Sequence, residues 1–206
     1  MQELNMGLRL SFNKQIHAKK MRTLASSQAQ AEVEQLVQAN NLDEAVSVLE
    51  NYYNNFLITF GKPLLNKLLA AVIGAKRNDL VPRVLNLFTQ MKIEYNETTY
   101  SLLMKWYFSN KLLQDMDKLW QELTTKKNSS YIGTSIVESM LRRACAENLG
   151  WNFVKDILQT ASRLGVKNDA RIYSIVFTLL RDEANSTQLK EMHDMFMEDL
   201  TTGRIA

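Results

Sequence analysis

The sequence predicts an all-α fold, a superhelical α-solenoid of about five antiparallel helical hairpins, and three observations carry that expectation. A short phrase occurs twice: residues 93–101 read Ile-Glu-Tyr-Asn-Glu-Thr-Thr-Tyr-Ser and residues 166–174 read Val-Lys-Asn-Asp-Ala-Arg-Ile-Tyr-Ser. Each copy follows a helix-like run (Val84 to Met91, Phe153 to Leu164) and leads into another apolar one. A polar link recurring between helices marks a chain assembled from copies of one hairpin. Glycine and proline are scarce, 7 and 2 in 206 residues, which is too few for a turn-rich β-architecture. From Ala29 onward apolar residues recur at helical spacing, interrupted every dozen or so residues by polar links.

Five hairpins follow in order. The first pairs Ala29–Ala39 with Leu42–Tyr53 through Asn40-Asn41, and its stripe of Leu42, Ala45, Val46 and Leu49 lies on one face. The second pairs Pro63–Ala75 with Asp79–Met91. Both prolines fall where helices begin, Pro82 just after the capping candidate Asp79, in a first turn that needs no amide donor. The third pairs Thr98–Ser109 with Leu112–Leu123, with Leu112, Met116, Leu119, Trp120 and Leu123 as its stripe. The fourth pairs Ile132–Ala146 with Trp151–Leu164, and the fifth pairs Ala170–Arg181 with Ser186–Leu200, capped by Ser186 or Thr187. Trp106, Trp120 and Trp151 are expected to anchor packing.

Charge is unevenly distributed. Residues 1–31 hold Arg9, Lys14, Lys19, Lys20 and Arg22 against Glu3 alone, leaving 20 of the 25 basic and 21 of the 22 acidic residues for the remainder. Leu8, Leu10, Phe12 and Ile16 interleave with those bases. Basic, amphipathic and acid-poor is the composition of a mitochondrial transit peptide. It is equally that of a basic first helix packed on the end of the array, so residues 1–28 are read as a leader or an N-terminal helix and residues 29–206 as the repeat domain.

Other function classes find little support. The histidines are His17 and His193, far apart, and the single Cys145 excludes an internal disulfide framework and fits a reducing or matrix-like compartment. No Cys/His cluster suits zinc and no glycine-rich loop suits phosphate, so no catalytic residue, metal or cofactor is expected and the chain is not read as an enzyme. No apolar run approaches the roughly 18 residues of a membrane span.

The helix end Leu87-Phe88-Thr89-Gln90-Met91, the links at Ile93 and Gly165-Val166, and the pairs Tyr100-Ser101 and Tyr173-Ser174 together resemble the pentatricopeptide repeat family. Leu42-Asp43-Glu44-Ala45 looks like the start of a second helix in an earlier copy. Asn96 and Asp169 stand where that family often has Asp, and the family's link proline is replaced by Tyr95 and Asn168. The resemblance implies single-stranded RNA as the partner, each hairpin reading one base with two or three side chains. Carried over, the reading residues are Ser101 with Ser130, Ser135 with Asp169, and Ser174. The residues themselves leave a plainer reading open, in which Asn96 and Asp169 cap the following helices.

Lys67, Lys105, Arg142, Arg143 and Arg171 fall on the first helices of hairpins, the elements that line the concave face in that family, and are expected to meet phosphate. The second helices carry more acid, including Asp43, Glu50, Asp117 and Glu191. The expected activity is RNA binding in mitochondrial RNA processing, stability or translation, in the matrix. The alternative is a protein-binding scaffold or subunit of a large mitochondrial complex, such as the ribosome or transcription machinery, with Met192, Met195, Phe196 and Met197 as an apolar C-terminal face.

Overall fold

The computed structural model describes residues 20–21, 23–125, 131–166, 170–180 and 186–203. Their regular structure is helical, with no strand among the described residues. The helices are α1 (23–38), α2 (Leu42–Phe56), α3 (Lys62–Gly74), α4 (Val81–Gln90), α5 (Glu97–Ser109), α6 (Leu113–Thr125), α7 (Thr134–Glu147), α8 (Gly150–Arg163), α9 (Ala170–Leu180) and α10 (Ser186–Thr201). Their order and approximate spans match the helices predicted from the sequence, with α1 starting earlier than expected, and α3–α4, α5–α6 and α7–α8 pack as neighbours. The chain divides into two compact units between Tyr95 and Asn96.

In the first unit α2 packs against α3 and α4, and α3 packs against α4. The predicted α2 stripe is the buried one: Leu42, Ala45, Val46 and Leu49 are all closed to solvent. Facing it are Leu65, Leu68, Leu69 and Val72 of α3 and Val84, Leu87 and Phe88 of α4. Pro63 and Pro82 each occupy the first turn of their helix. Asp79 does not cap α4, contrary to expectation; Leu80 holds that position without a side-chain bond. The reason is Arg77, whose guanidinium donates to Asp79 at 3.0 and 2.7 Å and also grips Asp43 of α2 at 2.5 and 2.8 Å. A second tie joins α2 to α4, where Arg83 donates to Glu50 at 3.0 and 2.5 Å. Tyr53 donates its hydroxyl to the Gln90 carbonyl at 2.7 Å, and the Tyr95 ring stands edge-on to Phe88 with centroids 5.2 Å apart.

Helices here often end on a left-handed residue that is not glycine. Lys76, Lys92, Lys111 and Asn148 have φ between 50° and 58° after α3, α4, α5 and α7. The next amide then donates back to a carbonyl five residues earlier, as Ile93 does to Phe88 at 2.9 Å. Leu57 also closes α2 in a left-handed conformation, at φ 51°, with the Ile58 amide reaching back to the Tyr52 carbonyl at 3.4 Å, although Leu57 is 71% exposed. A Cβ in that conformation costs about 1–2 kcal/mol, partly offset by the greater chain entropy of glycine. Leu57→Gly is therefore expected to raise the urea midpoint by the equivalent of about 0.5–1 kcal/mol; an unchanged or lower midpoint would show that Leu57 holds contacts worth more than the strain.

In the second unit α5 packs against α6 and α7, and α7 packs against α8 and α9. Asn96 caps α5 in a reciprocal box: its side chain accepts from the Thr99 amide at 3.1 Å, and its own amide donates to the Thr99 hydroxyl at 3.3 Å. The capping reading of Asn96 therefore holds. Asp169 lies outside the described residues, as does whatever precedes Ser186. Met116, Leu119, Trp120 and Leu123 form the buried stripe of α6 as predicted, but Leu112 stands before the helix and is exposed. Trp120 and Trp151 are buried, while Trp106 is half-buried against the Tyr107 ring.

Two acidic residues, Asp199 and Glu191, tie α10 to this unit. Tyr173 of α9 is fully buried and donates to Asp199 at 2.5 Å, with its ring edge-on to Phe196. Glu191 accepts from the Trp151 indole and from Lys155, both on α8 and both at 2.9 Å. The indole and then the ammonium hold the Glu191 carboxyl below the usual range. A depressed carboxyl stabilises above its unfolded value, near 4.3, and that contribution disappears as pH falls through the folded value. The stability difference between wild type and Glu191→Gln, followed by urea unfolding, should thus be constant near neutrality and shrink below about pH 4. A difference independent of pH would rule out the ionic part of this tie.

Candidate nucleic-acid interface

Helices α5, α7 and α9 are the first helices of the third, fourth and fifth hairpins, and they pack side by side through α7. Each carries one exposed cation, Lys105, Arg142 and Arg171 respectively. Between the three helices opens a cavity of about 380 Å³ lined by Phe108, Arg142, Cys145, Ser174, Ile175 and Thr178. Lys105 lies one helical turn before Phe108, and Arg171 one turn before Ser174, so both cations share the face of their helix that borders the cavity. Lys105 makes no ion pair among the described residues.

Arg142 bonds within its own helix. Its Nε and one terminal nitrogen reach the same Glu138 oxygen at 2.9 and 2.7 Å, and the side chain stays 57% exposed. An exposed pair of this spacing is worth about 0.3–0.5 kcal/mol, so a phosphate can replace Glu138 at little cost. Burial pushes the Cys145 thiol up from its ordinary value.

Arg143 must be removed from the expected phosphate contacts. Its side chain is 10% exposed and its guanidinium is matched inside the protein. It pairs with Asp117 of α6, donates to Glu147 at 3.0 Å, and lies over the Phe153 ring at 5.8 Å. A buried cation with two carboxylates and a ring around it has no charge to offer a ligand. Lys67 belongs to the first unit, where its ammonium is 3.6 Å from Glu34.

Of the proposed reading hydroxyls, Ser174 lines the cavity together with Arg142. Ser101 and Ser135 are half-buried on α5 and α7, and the Ser135 carbonyl accepts from Ser139 at 2.9 Å. Ser130 and Asp169 lie outside the described residues. The structure adds Phe108, Cys145 and Thr178, which sequence reasoning missed. Trp106-Tyr107-Phe108 is an unbroken aromatic run, so periodicity alone does not tell which ring faces outward.

Four acids of the second helices make structural ties. Asp43, Glu50, Asp117 and Glu191 each bind a cation or indole donor on another element of their own unit. His193 is exposed beside Asp194. Among the described residues no cluster of His, Cys, Asp and Glu could hold a metal ion, and no helix is long and apolar enough to cross a membrane. No protein-family model matches the chain, and no curated protein matches it.

Proposed function

We propose that this chain is a pentatricopeptide-like α-solenoid that binds single-stranded RNA and acts in mitochondrial RNA processing, stability or translation. The observation that carries the reading is the side-by-side layer of α5, α7 and α9, with Lys105, Arg142 and Arg171 exposed on it and Ser174 at a shared cavity. Cations spaced along consecutive helices can follow a phosphate backbone, while Asp43, Glu50, Asp117 and Glu191 of the second helices are engaged elsewhere. The basic segment 1–31 supports import into mitochondria.

The test is fluorescence anisotropy of the protein with a labelled single-stranded RNA of random sequence across a salt series. Binding should weaken with salt, with a slope of about −0.7 per phosphate contacted, or about −2 for three cations. No binding at low salt, or binding indifferent to salt, would end this reading.

A protein partner within a large mitochondrial complex is the second reading; of its expected face Met192 is buried and Phe196 packs on Tyr173, but Met197 is exposed on α10 together with Leu189 and Leu200, all three at 40–49%. Charged substitutions at these three positions would then release the protein from a rapidly sedimenting complex in mitochondrial extracts without changing RNA affinity.

A further inference from the structure

Helices α8 and α10 border a second cavity, of about 330 Å³, which shares no lining residue with the one between α5, α7 and α9. Leu158, fully buried, and Met195, half-buried, form its apolar part. Glu198 and Asp199 supply two carboxylates from adjacent positions of α10, and Gln159 and Ser162 supply an amide and a hydroxyl from α8. Asp199 is 5% exposed, and the 2.5 Å bond from the Tyr173 hydroxyl fixes it in the wall. Glu198 is exposed to solvent.

Arg163 is the one cation among the lining residues. It is exposed and makes no ion pair among the described residues, so it neutralises neither carboxylate by contact. Two carboxylates against one guanidinium leave the cavity acidic. The helices add to this bias: the lining residues lie towards the C-terminal ends of both α8 and α10, where positive charge is favoured. An anionic ligand would meet two like charges, and a neutral apolar one would strip water from the acids without replacing it. A cation on an aliphatic stem suits both parts of the lining, with its head on the acids and its methylenes on the apolar side chains. At about 330 Å³ the space takes one long side chain, not a folded segment.

We propose that this cavity receives a single arginine side chain of a protein partner, its guanidinium on Glu198 and Asp199 and its methylenes along Met195 and Leu158. A guanidinium suits the lining better than an ammonium, because its planar fork of five donors can serve carboxylate, amide and hydroxyl oxygens together. The assignment does not depend on RNA binding, since none of these residues belongs to α5, α7 or α9.

The test uses the whole protein, isotopically labelled at its methionine methyl groups and followed by NMR. Loss of one resonance in Met195→Leu assigns the Met195 signal. N-acetyl-arginine methylamide is titrated in, with N-acetyl-citrulline methylamide, of nearly equal shape and no charge, as the control. The arginine probe should shift the Met195 resonance saturably, with a Kd of about 1–5 mM, and the citrulline probe should not. Glu198→Gln should weaken binding about tenfold, the loss expected of one charge-assisted hydrogen bond. Arg163→Gln should strengthen it about threefold by removing the opposing charge. Both positions are exposed, so the helical signal should be unchanged in each variant.

A Met195 resonance that stays in place, or one that responds equally to citrulline, overturns the proposal. So does an affinity unchanged in Glu198→Gln. An affinity that falls in Arg163→Gln overturns it too, because Arg163 rather than the acids would then be holding the probe.

Discussion

Replacing Arg143 with alanine is expected to destabilise the protein by about 3 kcal/mol, whereas replacing its neighbour Arg142 should change stability by less than about 0.5 kcal/mol. The two residues are adjacent in one helix and their environments are opposite. Arg143 is closed in by Asp117, Glu147 and Phe153, and its loss leaves two carboxylates facing each other around a gap. Arg142 points outward and holds only Glu138. In RNA binding the order reverses: Arg142→Ala should reduce the salt slope by about one phosphate contact, and Arg143→Ala should not, once measured where the variant is folded. Urea unfolding and salt-dependent anisotropy on the two variants decide it. Equal stabilities would mean that the α6–α7 tie contributes nothing. Unchanged affinity in Arg142→Ala would remove the strongest cation from the proposed interface.

Phe88→Ala is expected to cost more, about 3–5 kcal/mol, and to unfold the first unit well before the wild type on a urea scale. Phe88 is fully buried between the hairpins of that unit, so its removal leaves a large void. It also holds the chain leaving α4, because the Tyr95 ring meets it edge-on at 86°. In the family that this sequence resembles, the link is stiffened by proline; here an aromatic contact fixes the direction of the same stretch. Tyr95→Ala should cost about 1 kcal/mol in the wild type and close to nothing in the Phe88→Ala background. Additive costs in that double-mutant cycle would show that Tyr95 does not act through Phe88.

The hairpins were legible in the sequence because their signals are local. Leu42, Ala45, Val46 and Leu49 repeat at helical spacing, Pro63 and Pro82 can stand only in a first turn, and Asn96 three residues before Thr99 makes a capping box. What failed depended on residues distant in sequence. Asp79 reads as a cap until Arg77 draws it together with Asp43. Arg142 and Arg143 read alike as exposed cations of a first helix. The distinction was nevertheless available: Arg143 stands seven residues after Ile136 and three after Met140, on the buried stripe, and Arg142 does not. The left-handed lysines closing α3, α4 and α5 carried no signal, since glycine is the residue that announces such a turn. The cavity could not be foreseen either, because it is assembled from three helices and its aromatic wall lies within a run of three aromatic residues.

The charged ties between second helices run in opposite senses in the two units. From α2 to α4 the acid, Glu50, is on the earlier helix and the base, Arg83, on the later one. From α8 to α10 the base, Lys155, comes first and the acid, Glu191, second. Chains built of similar hairpins are prone to misassembly, in which one hairpin takes the place of another during folding. Here an exchange that set α2 beside α10 would bring Glu50 towards Glu191, and one that set α8 beside α4 would bring Lys155 towards Arg83. Like charges would meet in both cases. The opposite polarity of these contacts would thus add a charge penalty to the packing lost in such an exchange.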